Sequence, residues 1–253
     1  MRKLVFIASL ALAACGQVDV DGAPEGEFTG TAVVVWVGEG NTQSGDGAFI
    51  FVPLRDNELT FTRDEKANVS EGNKVIQPGA FYTDGGSIPR VVQSIQGYNA
   101  WAFGPAYIIH DWLFVVRKCI NDDEEWAENS PIANMSFRES AEIMAETIKT
   151  VTMQYGLQRK TGEAVNIIAP VTAGPISYNL WTEKNACSLP ENDPLIQKVV
   201  AQVNREAAAG ILSRASDFDF DVQSADQTDG LLRPIVVAEF GLPRKPRLPE
   251  PAR

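Results

Sequence analysis

Short runs of apolar and β-branched residues dominate the first third of the chain. Thr29–Val37 is rich in threonine and valine, a composition that is typical of a strand. Similar runs predict strands over 48–53, 59–63 and 74–76. Because the links between these runs are short, we expect their strands to pair antiparallel.

From Ser87 onwards the apolar positions recur with a helical period. Helices are predicted after Ser87, over Asn99–Arg117, from the capping-box pair Ser136 and Glu139, over an interrupted stretch at 161–183, and from Asp193-Pro194. On the last helix, Leu195, Val199, Val203 and Ala207 are expected to share one side. Strands first and helices afterwards predict an α+β domain, with a small N-terminal antiparallel sheet packed against about four to five helices.

The N-terminus has the pattern of a secretion signal. The basic pair Arg2-Lys3 precedes the apolar stretch Leu4–Leu12, which is much shorter than the roughly 20 residues that span a bilayer. The following Leu12-Ala13-Ala14-Cys15 resembles the bacterial lipobox, in which the cysteine is lipidated and becomes the mature N-terminus. Lipid on Cys15 would hold the protein at a membrane. An ordinary signal peptide cut after Ala13 or Ala14 is the alternative.

The predicted organisation has four parts. Residues 1–14 form the lipoprotein signal peptide, 15–26 the lipidated cysteine and a tether, 27–240 one α+β domain, and 241–253 a disordered proline-rich tail. In the lipoproteins that this N-terminus resembles, a non-acidic residue such as Gly16 favours the outer membrane. The expected location is therefore the cell envelope, on the outer membrane facing the periplasm if the source has one.

The charge balance narrows the classes of partner. The formal net charge is −11, and loss of Arg2 and Lys3 with the signal would leave 20 of the 22 basic residues against 33 acidic ones, or −13. A chain this acidic is poorly suited to bind nucleic acid through bulk electrostatics. The expected partners are the membrane, through the lipid, and an envelope protein or cell-wall component.

Two cysteines remain once Cys15 carries lipid. An oxidising compartment predicts a disulfide between Cys119 and Cys187, and the alternative is a pair of free buried thiols.

Two stretches carry the candidate chemistry. The first, 81–90, reads FYTDGGSIPR, and the second, 104–114, reads GPAYIIHDWLF. The second contains His110, the single histidine of the chain, next to Asp111 on a helix that is apolar almost all round and is therefore expected to be buried. A buried carboxylate is costly unless it is paired, so Asp111 needs a partner.

Together these stretches resemble domain-of-unknown-function family 1353, which occurs in phages and bacteria. Its pattern, T-D-x-x-S-[IV]-P-R followed by A-x-x-x-H-D-x-L, is matched by Thr83, Asp84, Ser87, Ile88, Pro89 and Arg90, and then by Ala106, His110, Asp111 and Leu113. Ala141-Glu142 stands where the family has Ala-Asp, so the acid is kept but lengthened. The resemblance covers about residues 48–160 and implies a fold and a phage-related origin, but not an activity.

One interpretation is a metal-dependent hydrolase that acts on a peptidoglycan amide or ester. Asp84, His110 and Asp111 would be catalytic, and Asp84, His110 and Glu142 would hold zinc, manganese or iron. Against it, His110 and Asp111 are adjacent and therefore point about 100° apart on a helix, so they cannot easily share one small ion.

The other interpretation is structural. Asp84 would cap the turn, Ser87 and Pro89 would open the following helix, and Asp111 would accept from backbone or from Arg90. His110 would donate to a buried carbonyl. Function would then lie in a binding surface, and the protein would be an envelope interaction protein of phage-related origin.

Overall fold

A computed structural model describes most of the predicted domain. It covers residues 18–19, 22–37, 49–67, 72–83, 103–155, 172–188, 192–214 and 234–240. The strands are β1 (Glu27–Trp36), β2 (Phe49–Pro53), β3 (Thr60–Thr62), β4 (Val75–Ile76), β5 (Phe81–Thr83), β6 (Ser213–Arg214) and β7 (Pro234–Phe240). The helices are α1 (Gly104–Asn121), α2 (Glu125–Glu128), α3 (Phe137–Tyr155), α4 (Pro175–Trp181) and α5 (Pro194–Ala208). This arrangement confirms the predicted α+β class.

β1 organises the sheet, whose first five strands run β4-β3-β1-β2-β5 with every neighbouring pair antiparallel. The N-terminal part of β1 pairs with β3, and its C-terminal part pairs with β2. Gly30 lies between these parts with a φ of 82°, and a Cβ there would clash with the carbonyl oxygen of Glu58. A glycine is therefore needed where the sheet curls.

The sheet is completed from the far end of the chain. β7 pairs antiparallel with β1 from Gly30↔Phe240 to Val35↔Pro234, and β6 pairs in parallel with β7. The sequence patterns predicted a sheet in the first third of the chain alone and indicated neither β6 nor β7. β1 thus pairs both with β2, which is near it in the sequence, and with β7, from the other end of the domain.

The main core lies between one face of the sheet and the helices α1 and α3. Fully buried aromatic rings from β1, β2, β3 and β5 meet buried aliphatic side chains of the two helices; they include Phe28, Phe51, Phe61, Phe81, Ile108, Ile109 and Ile148. α1 was predicted to be central, and most of its residues are buried. Its observed start at Gly104, with Pro105 in the first turn, is later than the predicted start at Asn99. The helix predicted after Ser87 lies outside the described residues.

A second, smaller core covers the opposite face of β1 and β2. Val33, Val35, Ile50 and Val52 pack there against α5. The buried residues of α5 are Ile196, Val199 and Val203, whereas Leu195 is exposed. Leu195, which the helical period places on the same side as Val199 and Val203, thus lies at the edge of the buried face.

Local capping fixes where two of the helices begin. Asp193 accepts from the backbone N–H groups of Leu195 and Ile196 at 2.7 and 3.2 Å, as expected for an N-cap. Ser136 accepts from the N–H of Glu139 at 3.1 Å, which is half of the predicted capping box. The carboxylate of Glu139 does not complete the box, because it binds an arginine described below.

None of the helices in the described ranges is both long and apolar enough to cross a bilayer. The predicted signal peptide, Cys15 and the proline-rich tail at 241–253 lie outside those ranges.

Candidate functional site

His110 is buried near the middle of α1. Its ring packs on Phe114 with ring centroids 4.8 Å apart, and within the described residues its Nε2 has no hydrogen-bond partner. Burial disfavours the imidazolium form and lowers the pKa of His110 to about 4. His110 is therefore neutral at neutral pH.

Asp111 connects the two motifs on which the family resemblance depends. The Thr83 hydroxyl at the end of β5 donates to Asp111 Oδ2 at 2.7 Å. Asp111 thus has a partner of the kind that its place on an apolar helix requires, and the predicted bond to backbone or to Arg90 stays a prediction. Asp84, Ser87, Pro89 and Arg90 follow Thr83 in the sequence and lie outside the described residues, so their roles stay predictions.

Glu142 forms an ion pair with another residue of α3. Its Oε1 accepts from Arg138 Nε at 2.9 Å, in an ion pair one helical turn apart. No group of three histidine, cysteine or acidic side chains within the described ranges is placed to hold a metal ion. The predicted metal set of Asp84, His110 and Glu142 depends on the undescribed Asp84 and stays a prediction.

A buried ion cluster joins β3 to α3. Arg63, which follows β3 directly, donates from Nε and Nη2 to both carboxylate oxygens of Glu146 at 2.8 and 2.7 Å, and from Nη1 to Glu139 at 2.6 Å. Asn73 donates to the other oxygen of Glu139 at 3.1 Å. All four side chains are buried.

Two carboxylates share this one guanidinium. Burial raises the pKa of Glu146, and nearby carboxylates add to this effect, while Arg63 opposes it. Although burial lowers the pKa of Arg63, bonds and charge attraction from Glu146 and Glu139 raise it overall, so the guanidinium stays charged. The sequence patterns did not predict the cluster. A signal was present, because alternation along the strand puts Arg63 on the same face as the buried Leu59 and Phe61.

An open groove of about 940 Å³ lies beside the edge strand β4. One wall is β4 with the segment up to Ala80, the second comes from α1 and the stretch from α2 to Ile132, and the third is α5. Two tryptophans line it, Trp112 from α1 and Trp126 from α2, with ring centroids 6.1 Å apart and planes inclined by 34°.

Close packing fixes the position of Trp112 in the groove. Its ring lies 5.7 Å from the ring of Phe81, between centroids, and a Cβ on Gly79 would come within 3.0 Å of it. Trp126 is half-buried, and its indole N–H has no hydrogen-bond partner within the described residues. The sequence patterns did not predict the groove, because its walls come from separate parts of the chain.

The predicted disulfide is confirmed. Cys119 at the end of α1 is bonded to Cys187, with their Cα atoms 4.4 Å apart. Asp122 fastens the same segment, since its carboxylate accepts from the backbone N–H groups of Asn185, Ala186 and Cys187 at 2.6 to 2.9 Å. These bonds, that from Cys187 first, lower the pKa of Asp122.

The buried neutral histidine predicts a pH dependence of stability. In the unfolded chain His110 would titrate near its ordinary pKa of about 6.5, against about 4 in the fold. Between these values the unfolded chain binds more protons, so stability falls as the pH falls through that window and the loss is complete below about pH 4. The contribution is on the order of 3 kcal/mol.

Replacing His110 with leucine tests this, with urea unfolding followed at several pH values between 7 and 4. Because carboxylates titrate in the same range, the quantity to compare is the difference between the two proteins. The wild type should lose about 3 kcal/mol more than His110→Leu over this range. Parallel losses in the two proteins would show that His110 is not held neutral in the fold.

Residues 60–157 match the family model described as a protein of unknown function, DUF1353. No curated protein and no solved structure matches the chain. The matched segment runs from the start of β3 beyond the end of α3, so it contains Arg63, both tryptophans of the groove and the His110-Asp111 pair. This segment of the chain is therefore similar to the DUF1353 family, as the motifs around Thr83 and His110 predicted.

Proposed function

We propose that the protein is a lipid-anchored envelope protein of phage-related origin that binds an extended segment of a partner protein in the Trp112–Trp126 groove. The observation that supports this proposal is the groove itself. Its volume of about 940 Å³ is in the range of ligand sites in proteins, and two aromatic rings supply flat apolar surface for a ligand to cover.

The composition of the groove favours binding over catalysis. Within the described residues, the one titratable side chain lining it is Lys74, whose ammonium lies 3.7 Å from the carboxylate of Glu65. Gln77, Asn129 and Gln197 offer neutral donors and acceptors beside the rings. Extended peptides are recognised in this way, with apolar surface for affinity and a few polar groups for orientation.

A blocking substitution on α5 tests the groove. Gln197 is exposed and lines the groove, so Gln197→Trp should fill it without disturbing the core. Ala208→Trp is the matched control, because Ala208 is exposed on the same helix about three turns away and is not among the groove residues. Fluorescence anisotropy of a labelled ten-residue proline peptide gives the affinity.

The wild type should bind the peptide saturably, Ala208→Trp should bind equally well, and Gln197→Trp should bind at least about tenfold more weakly, a loss of about 1.4 kcal/mol. Solubilised peptidoglycan strands are the second probe. Strand binding that Gln197→Trp abolishes, without peptide binding, would replace the protein partner with a wall glycan. If neither probe binds, the groove is not a binding site for either class.

The lipid anchor predicts a clear result in cells. Wild-type protein should incorporate labelled palmitate and sediment with membranes, because several acyl chains on one cysteine give stable attachment. Cys15→Ala should lose the label and leave the membrane fraction. Cys187→Ala is the control that should keep the label. An unlabelled wild type whose mature N-terminus is Ala14 or Cys15 would support an ordinary signal peptide.

His110 supports the alternative, a metal-dependent envelope hydrolase. Its Nε2 has no partner within the described residues, and Asp84 follows Thr83, which is bonded to the neighbouring Asp111. Elemental analysis of wild type and His110→Leu decides between the two functions. Stoichiometric zinc, manganese or iron that disappears in the folded variant would favour the hydrolase. A metal-free wild type would count against it.

A further inference from the structure

We infer that the groove binds the chain's own C-terminal segment, residues 243–249, which rests on the groove being a binding site as proposed above. This segment reads PRKPRLP, with prolines at every third position, 243, 246 and 249. A polyproline II helix has three residues per turn, so in that conformation the three prolines share one edge. Aromatic-lined grooves recognise such proline edges, because the conformation costs little entropy to fix.

Charge favours this pairing. Residues 241–253 contain four of the 22 basic residues and one of the 33 acidic ones, a net charge of +3 on a chain whose overall charge is −11. Arg244 and Arg247 are also three apart, so they share a second edge beside the prolines. On the protein side, Trp126 is flanked along α2 by the exposed carboxylates of Glu125 and Glu128. These two carboxylates are outside the groove lining, whose one titratable side chain among the described residues is Lys74, so the acidic groups for the arginines would lie at the rim of the groove.

The segment can reach the groove. β7 ends at Phe240, which pairs with Gly30. Two residues along β1, Phe28 pairs with Phe61 of β3, which in turn pairs with Ile76 of β4 in the groove wall. Three steps between strands and two residues along one amount to a path of about 22 Å, an upper limit on the distance. In a polyproline II helix, Pro246 lies about 19 Å and Pro249 about 28 Å of chain from Phe240, so the C-terminal end of the segment reaches the groove wall even at this upper limit.

Binding of this segment would make it a competitor attached to the same chain. At an effective concentration of about 1 mM and an intrinsic Kd of about 0.1 mM, it would weaken the binding of an external peptide by on the order of tenfold. A partner would therefore have to displace the segment. The groove would then bind only ligands that are present at high concentration or that have high affinity.

Fluorine NMR of the full chain labelled with 5-fluorotryptophan tests the contact directly. The five tryptophan signals can be assigned with single Trp→Phe variants. Changing Pro243, Pro246 and Pro249 together to alanine should move the signals of Trp112 and Trp126 and leave that of Trp36, at the end of β1, in place. Pro251→Ala is the matched control, because Pro251 is outside the three-residue register, and it should move none of them.

Adding a synthetic peptide of residues 241–253 to the triple variant should return the two signals to their wild-type positions. If Trp112 and Trp126 signals are the same in wild type and triple variant, the inference is wrong. Peptide anisotropy separates this failure from that of the proposed function. If the groove binds the proline peptide with equal affinity in both proteins, it is a binding site that the C-terminal segment does not occupy. A groove that binds no probe, with unmoved tryptophan signals, contradicts both proposals.

Discussion

Replacing Arg63 with methionine is expected to lower the free energy of unfolding by about 3–5 kcal/mol. Methionine keeps most of the apolar volume of the arginine stem, so loss of packing contributes little. The cost comes from the two carboxylates of Glu139 and Glu146, which stay buried but lose the guanidinium that holds them. Denaturant unfolding at pH 7 gives the change directly.

An exposed arginine on α3 provides the matched control. Arg138 also forms an ion pair with a glutamate, at 2.9 Å, but its side chain is 81% exposed, against 0% for Arg63. Arg138→Met should therefore cost less than about 0.5 kcal/mol. If both variants lose the same small amount of unfolding free energy, the carboxylates of Glu139 and Glu146 are hydrated or protonated when Arg63 is absent.

Removing the charges together should recover much of the loss. In a variant that combines Arg63→Met with Glu139→Met and Glu146→Met, no charge is left in the cluster, and an apolar replacement of similar volume is often as stable as the buried ions. A triple variant as unstable as Arg63→Met alone would show that the loss comes from packing or from unpaired amides rather than from charge.

The cluster of Arg63, Glu139 and Glu146 also shows which structural features can be predicted from neighbouring residues in the sequence. Ser136 and Glu139 predicted the start of α3 correctly, since the Ser136 hydroxyl does accept the amide of Glu139. The same pattern did not predict that the Glu139 carboxylate would leave the helix end for Arg63, which lies 76 residues earlier in the chain. Capping depends on neighbours, whereas the choice of an ion partner depends on which strand faces the helix.

Helix faces show a similar limit. The spacing of Val199 and Val203 identifies the buried side of α5 only approximately, because Leu195 and Ile196 both continue it at a helical interval. The structure buries Ile196 against β2 and exposes Leu195. A rotation of one residue, about 100°, separates the two choices, and it is fixed by the sheet surface that receives the helix.

The strand β7 and the groove were missed for a common reason. The β-branched residues of PIVVAEF at 234–240 do favour a strand, but its partner β1 lies some 200 residues earlier. Likewise, Trp112 and Trp126 are both visible in the sequence, but the third wall of their groove is supplied by α5, beyond residue 190. Features made by distant segments need the topology, which short-range patterns do not contain.

Loss of the Cys119–Cys187 disulfide is the second large effect that we expect. The bond closes a loop of 68 residues, and the chain-entropy relation gives about 4 kcal/mol for a loop of this length. The double variant Cys119→Ala/Cys187→Ala should unfold at correspondingly lower urea concentration. The wild type treated with a reductant should approach the same midpoint, while the double variant should be insensitive to the reductant.

Contacts of Asp122 are expected to make the measured loss of stability smaller than the value from the chain-entropy relation. Its carboxylate still holds the amides of residues 185–187 when the disulfide is absent, so the fold keeps a second fastening between the end of α1 and this segment. The sulfur bond restrains the unfolded chain as well, whereas the Asp122 contacts exist only in the fold. Asp122→Ala in the double variant should therefore lower stability further and expose residues 185–187 to hydrogen exchange. If it changes neither, this segment is held by other contacts.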